Sequence, residues 1–237
     1  MAKGEVVVTA QQVKTRKKTE KIVIITLLLL LLFLVIAYLI LNIVYNEGSF
    51  TISMDKNTYL KSDLVMYQSR NDRSSVIKLS AEKIPFMDNI SIKWLPDDIN
   101  TEAEGSHNGE NYIAYTFWLE NVGANTINYW YSFVIDDIIK NVDDAVRVMI
   151  YVDEDVMVFA KENPITGKPE KDTKAFRKDD DGTVILEKRT ITSGDTDRVT
   201  IVIWLEGDDP ECVNAILGGE MKMHMDITEE HIEEENV

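Results

Sequence analysis

Residues 111–135 read NYIAYTFWLENVGANTINYWYSFVI. Two runs rich in β-branched and aromatic residues, 111–120 and 127–135, flank a short stretch of Asn, Gly and Thr, which is strand chemistry interrupted by turn chemistry. Tyr112–Leu119 is apolar or aromatic on both faces, so this strand is expected to be covered on both sides. The same type of run recurs at 49–54, 75–80 and 89–95 upstream and at 146–152, 156–160, 183–188, 198–206 and 219–227 downstream. The segments between them hold all five prolines and most of the glycines. In 219–227, Met221, Met223, Met225 and Ile227 alternate with Lys222, His224 and Asp226, as a strand with one wet face at an edge or on an outer sheet would. Only Ile135, Ile138, Ile139 and Val142 fall at helical spacing, which predicts a short helix or turn near Asp136–Ala145. The expected class is mainly β: an antiparallel β-sandwich of jelly-roll type.

Upstream of this domain the chemistry changes. IVIITLLLLLLFLVIAYLILNIV, from Ile22 through Leu30 to Val44, has Thr26 and Asn42 as its polar residues and no charge. A helix of that length spans roughly 35 Å, enough for the ~30 Å hydrocarbon core of a bilayer. Six basic residues (Lys3, Lys14, Arg16, Lys17, Lys18, Lys21) against Glu5 and Glu20 give residues 1–21 a charge of +4, so the remainder carries −20 of the −16 total. The positive-inside rule places the basic tail in the cytoplasm and the acidic domain outside the cell. A cleaved signal peptide is the competing reading, with Val35-Ile36-Ala37 as its small-residue site, although Tyr38-Leu39-Ile40-Leu41 continues the apolar run where a polar segment is expected.

The predicted organisation is a cytoplasmic tail over 1–21, a transmembrane helix over 22–44, an extracellular sandwich over 45–227 and an acidic disordered tail over 228–237. Polar loops are expected at 96–110 and 162–182. So acidic an exterior repels phosphate backbones, which excludes nucleic acid as a partner. A single cysteine, Cys212, rules out an internal disulfide framework and leaves a half-buried thiol or an intermolecular one as its readings.

Catalytic motifs are missing. The three histidines (His107, His224, His231) form no HExxH pair, and neither a GxSxG elbow, a P-loop nor a dinucleotide fingerprint occurs. The loop Ser106-His107-Asn108, between Gly105 and Gly109, is the candidate binding loop and the one focus a hydrolase reading would have. Acidic runs at Asp136-Asp137, Asp143-Asp144, Asp153-Glu154-Asp155, Asp179-Asp180-Asp181 and Asp208-Asp209 are solvated turns in their ordinary reading. No cofactor is expected from them. Calcium is the ion they would suit, yet none matches the EF-hand loop.

Tyr112 to Gly123, an apolar strand running into Leu119-Glu120-Asn121-Val122-Gly123, resembles exported β-sandwich proteins of Gram-positive bacteria, the TasA and camelysin group. Val202 to Cys212 is similar to the last sandwich strands of membrane-anchored proteins from anaerobic Firmicutes. The resemblance implies a jelly roll, export, and for TasA-like members assembly into matrix fibres. The metallopeptidase activity attributed to camelysins does not carry over, because no metal-binding histidine pair is present. The expected function is a single-pass cell-surface protein with a structural or binding role toward a surface or matrix protein. A secreted fibre subunit cleaved near Ala37, and an exterior hydrolase, are the alternatives.

Overall fold

The computed structural model describes residues 10–46, 50–55, 62–84 and 86–231. It comprises two units, residues 1–47 and 48–237. The first is one helix, α1 (Ala10–Asn46). Its sequence contains neither Pro nor Gly, and its leucines are good helix formers. Within it, Lys18–Ile40 is long and apolar enough to cross a membrane, and none of that window is buried. The Thr26 hydroxyl donates to the Ile22 carbonyl at 2.9 Å, so the polar side chain is satisfied by its own helix. The helix starts well before Ile22. Lys14, Arg16, Lys17, Lys18 and Lys21 therefore belong to its first turns rather than to a separate tail, and an Arg16–Glu20 ion pair at 3.4 Å adds i,i+4 support there. The backbone of Val44 is helical, while its side chain lies outside the described residues.

The second unit is mainly β. Its strands are β1 (Phe50–Met54), β2 (Leu64–Tyr67), β3 (Lys78–Ser80), β4 (Gly105–Ser106), β5 (Tyr112–Asn121), β6 (Ile127–Ile139), β7 (Val146–Val152), β8 (Asp155–Ala160), β9 (Lys174–Ala175), β10 (Thr183–Ile191), β11 (Thr196–Leu205) and β12 (Glu220–His231). One sheet has the order β10-β6-β12-β1-β3; the other runs β2-β5-β11-β7-β8-β9, with β4 also on β5. The sheets pack as a sandwich. Most pairings are antiparallel as expected, but β1 lies parallel to β12 and β9 parallel to β8, so both sheets are mixed.

Between the sheets lie alternate side chains of both layers, among them Phe50, Phe133, Met225, Phe117 and Ile201. Phe50 and Phe133 stack with ring centroids 5.6 Å apart. Trp204, Val202 and Ala114 form a second cluster with Ile90 and Ile99, on the far face of the β5–β11 pair. That cluster covers the second face of strands that are apolar on both sides. It also corrects the picture of 96–110 as a free polar loop, because Ile99 is 1% exposed.

The corner at 121–126 carries the chain from one sheet to the other. Asn121, fully buried, donates through Nδ2 to the carbonyls of Asn125 (2.8 Å) and Ile191 (3.1 Å) and accepts from the Gly123 N–H (3.0 Å). A Cβ on Gly123 would come within 2.3 Å of the Asp63 side chain, which is why glycine stands there.

Several sequence expectations need correction. Residues 89–95 form no strand: Ile90 bridges Glu206, and Ile92–Trp94 is a 3₁₀ turn whose first N–H groups are taken by the side chains of Glu206 and Ser91. The short helix or turn expected near Asp136–Ala145 is confined to its second half. Strand β6 continues to Ile139 with one extra residue where Lys222 and Met223 face Asp137 and Ile135, and a 3₁₀ turn follows at Val142–Asp144. An extra residue puts i and i+3 on one face, a spacing that reads as helical. Strand β12 is interior to its sheet, between β6 and β1, and its wet side is the sheet's outer face. It also extends through Thr228–His231, where disorder is expected, since Glu230 meets Lys188 at 2.6 Å and the Trp130 indole at 2.7 Å. The rest of the acidic tail, 232–237, lies outside the described residues. Within 162–182, β9 pairs with β8 and Phe176 is buried.

A side-chain pair also joins the layers through the core: the buried Tyr129 hydroxyl on β6 donates to Asp197 on β11 at 2.6 Å. Burial drives the Asp197 carboxyl above the usual carboxylate range, against the opposing pull of the Tyr129 hydrogen bond. An acid with a raised folded-state pKa contributes stability that is full below its unfolded value, near 3.9, and is lost as pH rises through the folded value. Tyr129→Phe is expected to cost about 1–3 kcal/mol by orphaning the carboxylate. In thermal melts of the full chain in detergent, the stability advantage of the wild type over Asp197→Asn should shrink as pH rises from the acid range to neutrality. A pH-independent difference contradicts this assignment.

Candidate functional site

At one end of the sandwich, β6 finishes beside the start of β12 (Ile139 opposite Glu220), β11 finishes beside the start of β7 (Leu205 opposite Val146), and β1 begins at Phe50 opposite Met223. Here Glu206 and Asp209 of the acidic stretch 206–209 are internal, while Asp208 is exposed. The Glu206 carboxylate, 7% exposed, accepts from the Ile92 N–H (3.0 Å), the Trp204 indole (3.0 Å) and the Asp208 N–H (3.1 Å). Asp209 forms a buried ion pair with Arg147 and accepts from the Glu211 N–H at 2.8 Å. The ordinary reading of Asp208-Asp209 as a solvated turn is therefore wrong for Asp209.

The candidate binding loop is a clasp on this end. Ser106 Oγ accepts from the Glu82 N–H at 2.9 Å, while Asn108 donates to the Glu82 carbonyl at 2.7 Å and accepts from the Ala114 N–H at 2.9 Å. Their polar groups hold the strand-to-strand crossing at 81–90. His107 turns inward: Nε2 contacts the Thr116 hydroxyl at 2.9 Å, which contacts Thr200 at 2.7 Å. Its Nδ1 is buried without a hydrogen-bond partner. Burial pushes the imidazole below the ordinary histidine value; Glu102 opposes this and Arg198 adds to it. Thr116 is fully buried, so the group His107 meets is one that a substrate does not reach.

Cys212 is a free, half-buried thiol, 3.0 Å from its N–H to the Asp209 carbonyl. Burial first, then the negative charges of Asp209, Asp88 and Glu206, raise its pKa, which depletes the reactive thiolate. Beside it, carboxylate oxygens of Glu170, Asp209 and Glu211 lie within 4.8 Å of one another. Glu170 lies 39 residues before Asp209, and no sequence pattern links it to the 208–211 run. A hydrogen bond with Asp209 raises the Glu211 pKa, and one Glu170 oxygen is buried without a partner. Calcium takes six to eight oxygens. Here the Arg147 guanidinium already occupies one of three carboxylates, so the cluster is poor as a cation cage.

The same end holds an open cavity of about 390 Å³ with an apolar floor of Ile135, Ile138, Phe176 and Val184. On its rim Lys161 is clamped at 2.6 Å by both Asp143 and Asp144. Burial disfavours the ammonium, but those two hydrogen bonds outweigh it and the Lys161 pKa ends above the ordinary value. Arg177 and Lys178 are likewise paired, with Asp179 and Glu162. With its rim cations neutralised, the cavity is suited to an uncharged apolar group rather than to an anion.

No family model matches the chain, and no curated protein does. Among solved structures it is similar to a selenomethionine-labelled β-glucosidase from Kluyveromyces marxianus, at 10% identity and TM-score 0.24 over 68% of this chain and 16% of that one. It is also similar to the same organism's β-glucosidase in complex with glucose, at 11% identity and TM-score 0.21 over 68% and 15%. The chain thus spans about a sixth of the structures it resembles, and scores this low carry no argument about activity.

Two outcomes are expected at this end. Arg147→Met strands a buried carboxylate and should cost about 3–5 kcal/mol, whereas Arg147→Met combined with Asp209→Leu should recover most of it. Unfolding midpoints of the single and double variants check this. Millimolar calcium should leave the melting temperature where chelator leaves it; a rise that Glu211→Gln abolishes would instead make Glu170, Asp209 and Glu211 a cation site.

Proposed function

We propose that this chain is a single-pass membrane-anchored β-sandwich protein of the cell surface, with the basic N-terminus cytoplasmic and the acidic domain outside, acting by structural support or by binding a surface or matrix protein. The observation that carries the proposal is the Lys18–Ile40 stretch of α1, unburied and, from Ile22 onward, uncharged and apolar on every side. A core helix of a soluble protein would be covered by its own fold, and a bilayer supplies the missing cover. Basic residues on the first turns of the same helix favour the cytoplasmic placement of that end. The absence of a catalytic motif from the sequence favours binding over chemistry, and so does His107, whose contact is a buried threonine.

A secreted fibre subunit, cleaved near Ala37, is the second reading, favoured by the small-residue site Val35-Ile36-Ala37. Continuous helix through Ala37 and on to Asn46 speaks against it, since signal peptidases act on extended chain beyond the apolar core. Intact cells expressing the full chain provide the test. External protease should remove residues 45–237 and spare the lysine-rich end, and the membrane-fraction protein should retain residues upstream of Ala37. A mature terminus at or near Tyr38 would support the fibre reading, and a domain inaccessible from outside would overturn the placement.

A further inference from the structure

Ile165 is 86% exposed, the largest exposure of any large apolar side chain in the sandwich among the described residues. It stands at the tip of a closed turn. Asn163 accepts through Oδ1 from the N–H groups of Ile165 (3.1 Å) and Thr166 (2.9 Å), its own N–H donates to the Lys168 carbonyl (3.0 Å), and its carbonyl accepts from the Gly167 N–H (2.8 Å). Gly167 supplies the left-handed φ of +61° that closes the turn, and no atom lies within 4 Å of where its Cβ would be. The turn therefore holds Ile165 out in solvent, already ordered, where its apolar surface is unfavourable until something covers it. Other apolar side chains are exposed too, Phe86, Trp94, Val122 and Leu217 among them. Ile165 differs from them in standing on a braced turn beside a socket of matching chemistry.

That socket is the open cavity of about 390 Å³, whose floor is Ile135, Ile138, Phe176 and Val184 and whose rim includes Lys161 and Glu162. Ile165 follows Glu162 by three residues, at most about 11 Å of chain. The charges of knob and socket are complementary. Asp136, Asp137, Asp143 and Glu162 line the cavity, with Asp144 and Asp179 behind them, against three rim cations that are each already paired. On the turn, Lys168 is exposed and has no carboxylate partner among the described residues, while Lys171 farther along meets Asp172 at 3.9 Å. A surplus of carboxylate at the socket thus matches an unpaired ammonium beside the knob.

We propose that two copies of this chain pair through this patch, with Ile165 of each copy seated in the cavity of the other and Lys168 set against its carboxylate rim. Knob and socket lie side by side on one patch, so a two-fold axis satisfies both contacts at once. The assembly then closes as a dimer instead of growing into a filament. The group received is an uncharged apolar side chain, the kind the cavity suits. The pairing stands on the sandwich alone and is independent of the membrane reading of α1.

The test uses the full chain reconstituted in phosphatidylcholine vesicles, with Cys212→Ser removing the native thiol. Three single-cysteine variants are made at exposed positions: Ile165→Cys, Ile138→Cys at the cavity, and Val122→Cys just before the far end of β6. Each copy then carries one thiol, so every product of a short bis-maleimide joins two copies. Mass-tagged Ile138→Cys mixed with Ile165→Cys should give mixed cross-links at about tenfold or more the yield obtained with Val122→Cys, because the paired geometry holds the two thiols together. Adding Lys168→Glu to the Ile165→Cys copy should cut that yield several-fold. Near-ultraviolet circular dichroism verifies each fold, and Cys212→Ala replaces Cys212→Ser if the latter fails it. Equal yields from Ile165→Cys and Val122→Cys, or a yield that Lys168→Glu leaves unchanged, overturn the pairing.

Discussion

The buried carboxylate of Glu206 is the constraint on which one end of the sandwich depends. A lone carboxylate cannot be removed from water without compensation, and here three N–H groups converge on it from the 92–94 turn, the neighbouring indole and the following turn. Meeting that demand forces Ile90 alongside Glu206 and brings Ser91 to Asp208. The crossing that links the two sheets is held on its other side by Ser106 and Asn108 at Glu82. The residues with the most chemical character at this end thus serve architecture first.

That division of labour shapes the functional reading. Asp209 and Lys161 have their charges paired within the fold, and His107 meets the buried Thr116 through Nε2 while its buried Nδ1 has no hydrogen-bond partner. This end presents outward both apolar side chains, Trp94, Phe86 and Leu217, and charged ones, Lys93 and Asp208 among them.

The strand series was legible because the core strands are long and their β-branched and aromatic content is high; Val146–Val152 matches its predicted bounds residue for residue. Strand β2 escaped because Leu64–Tyr67 is four residues long, too short to establish a period, although Leu64 and Met66 are fully buried. The 3₁₀ turn at 92–94 escaped because its alternation NISIKW is that of a strand, and only the distant Glu206 side chain redirects it. That Ser106 and Asn108 meet Glu82, and that Asp209 of the Asp208-Asp209 run is buried beside Cys212, could not be read from the sequence, since each contact is set by how the strands are ordered in space.

The sequence by itself determined the two kinds of cover the chain requires: a run of apolar residues with no polar face that fits a bilayer, and alternating strands that must bury one another. Both follow from local composition and period, which need no knowledge of what lies opposite. Only the tertiary structure decided which acids are buried and that β1 runs parallel to β12. Those facts depend on long-range pairing, because a carboxylate is solvated or internal according to which N–H groups the fold carries to it.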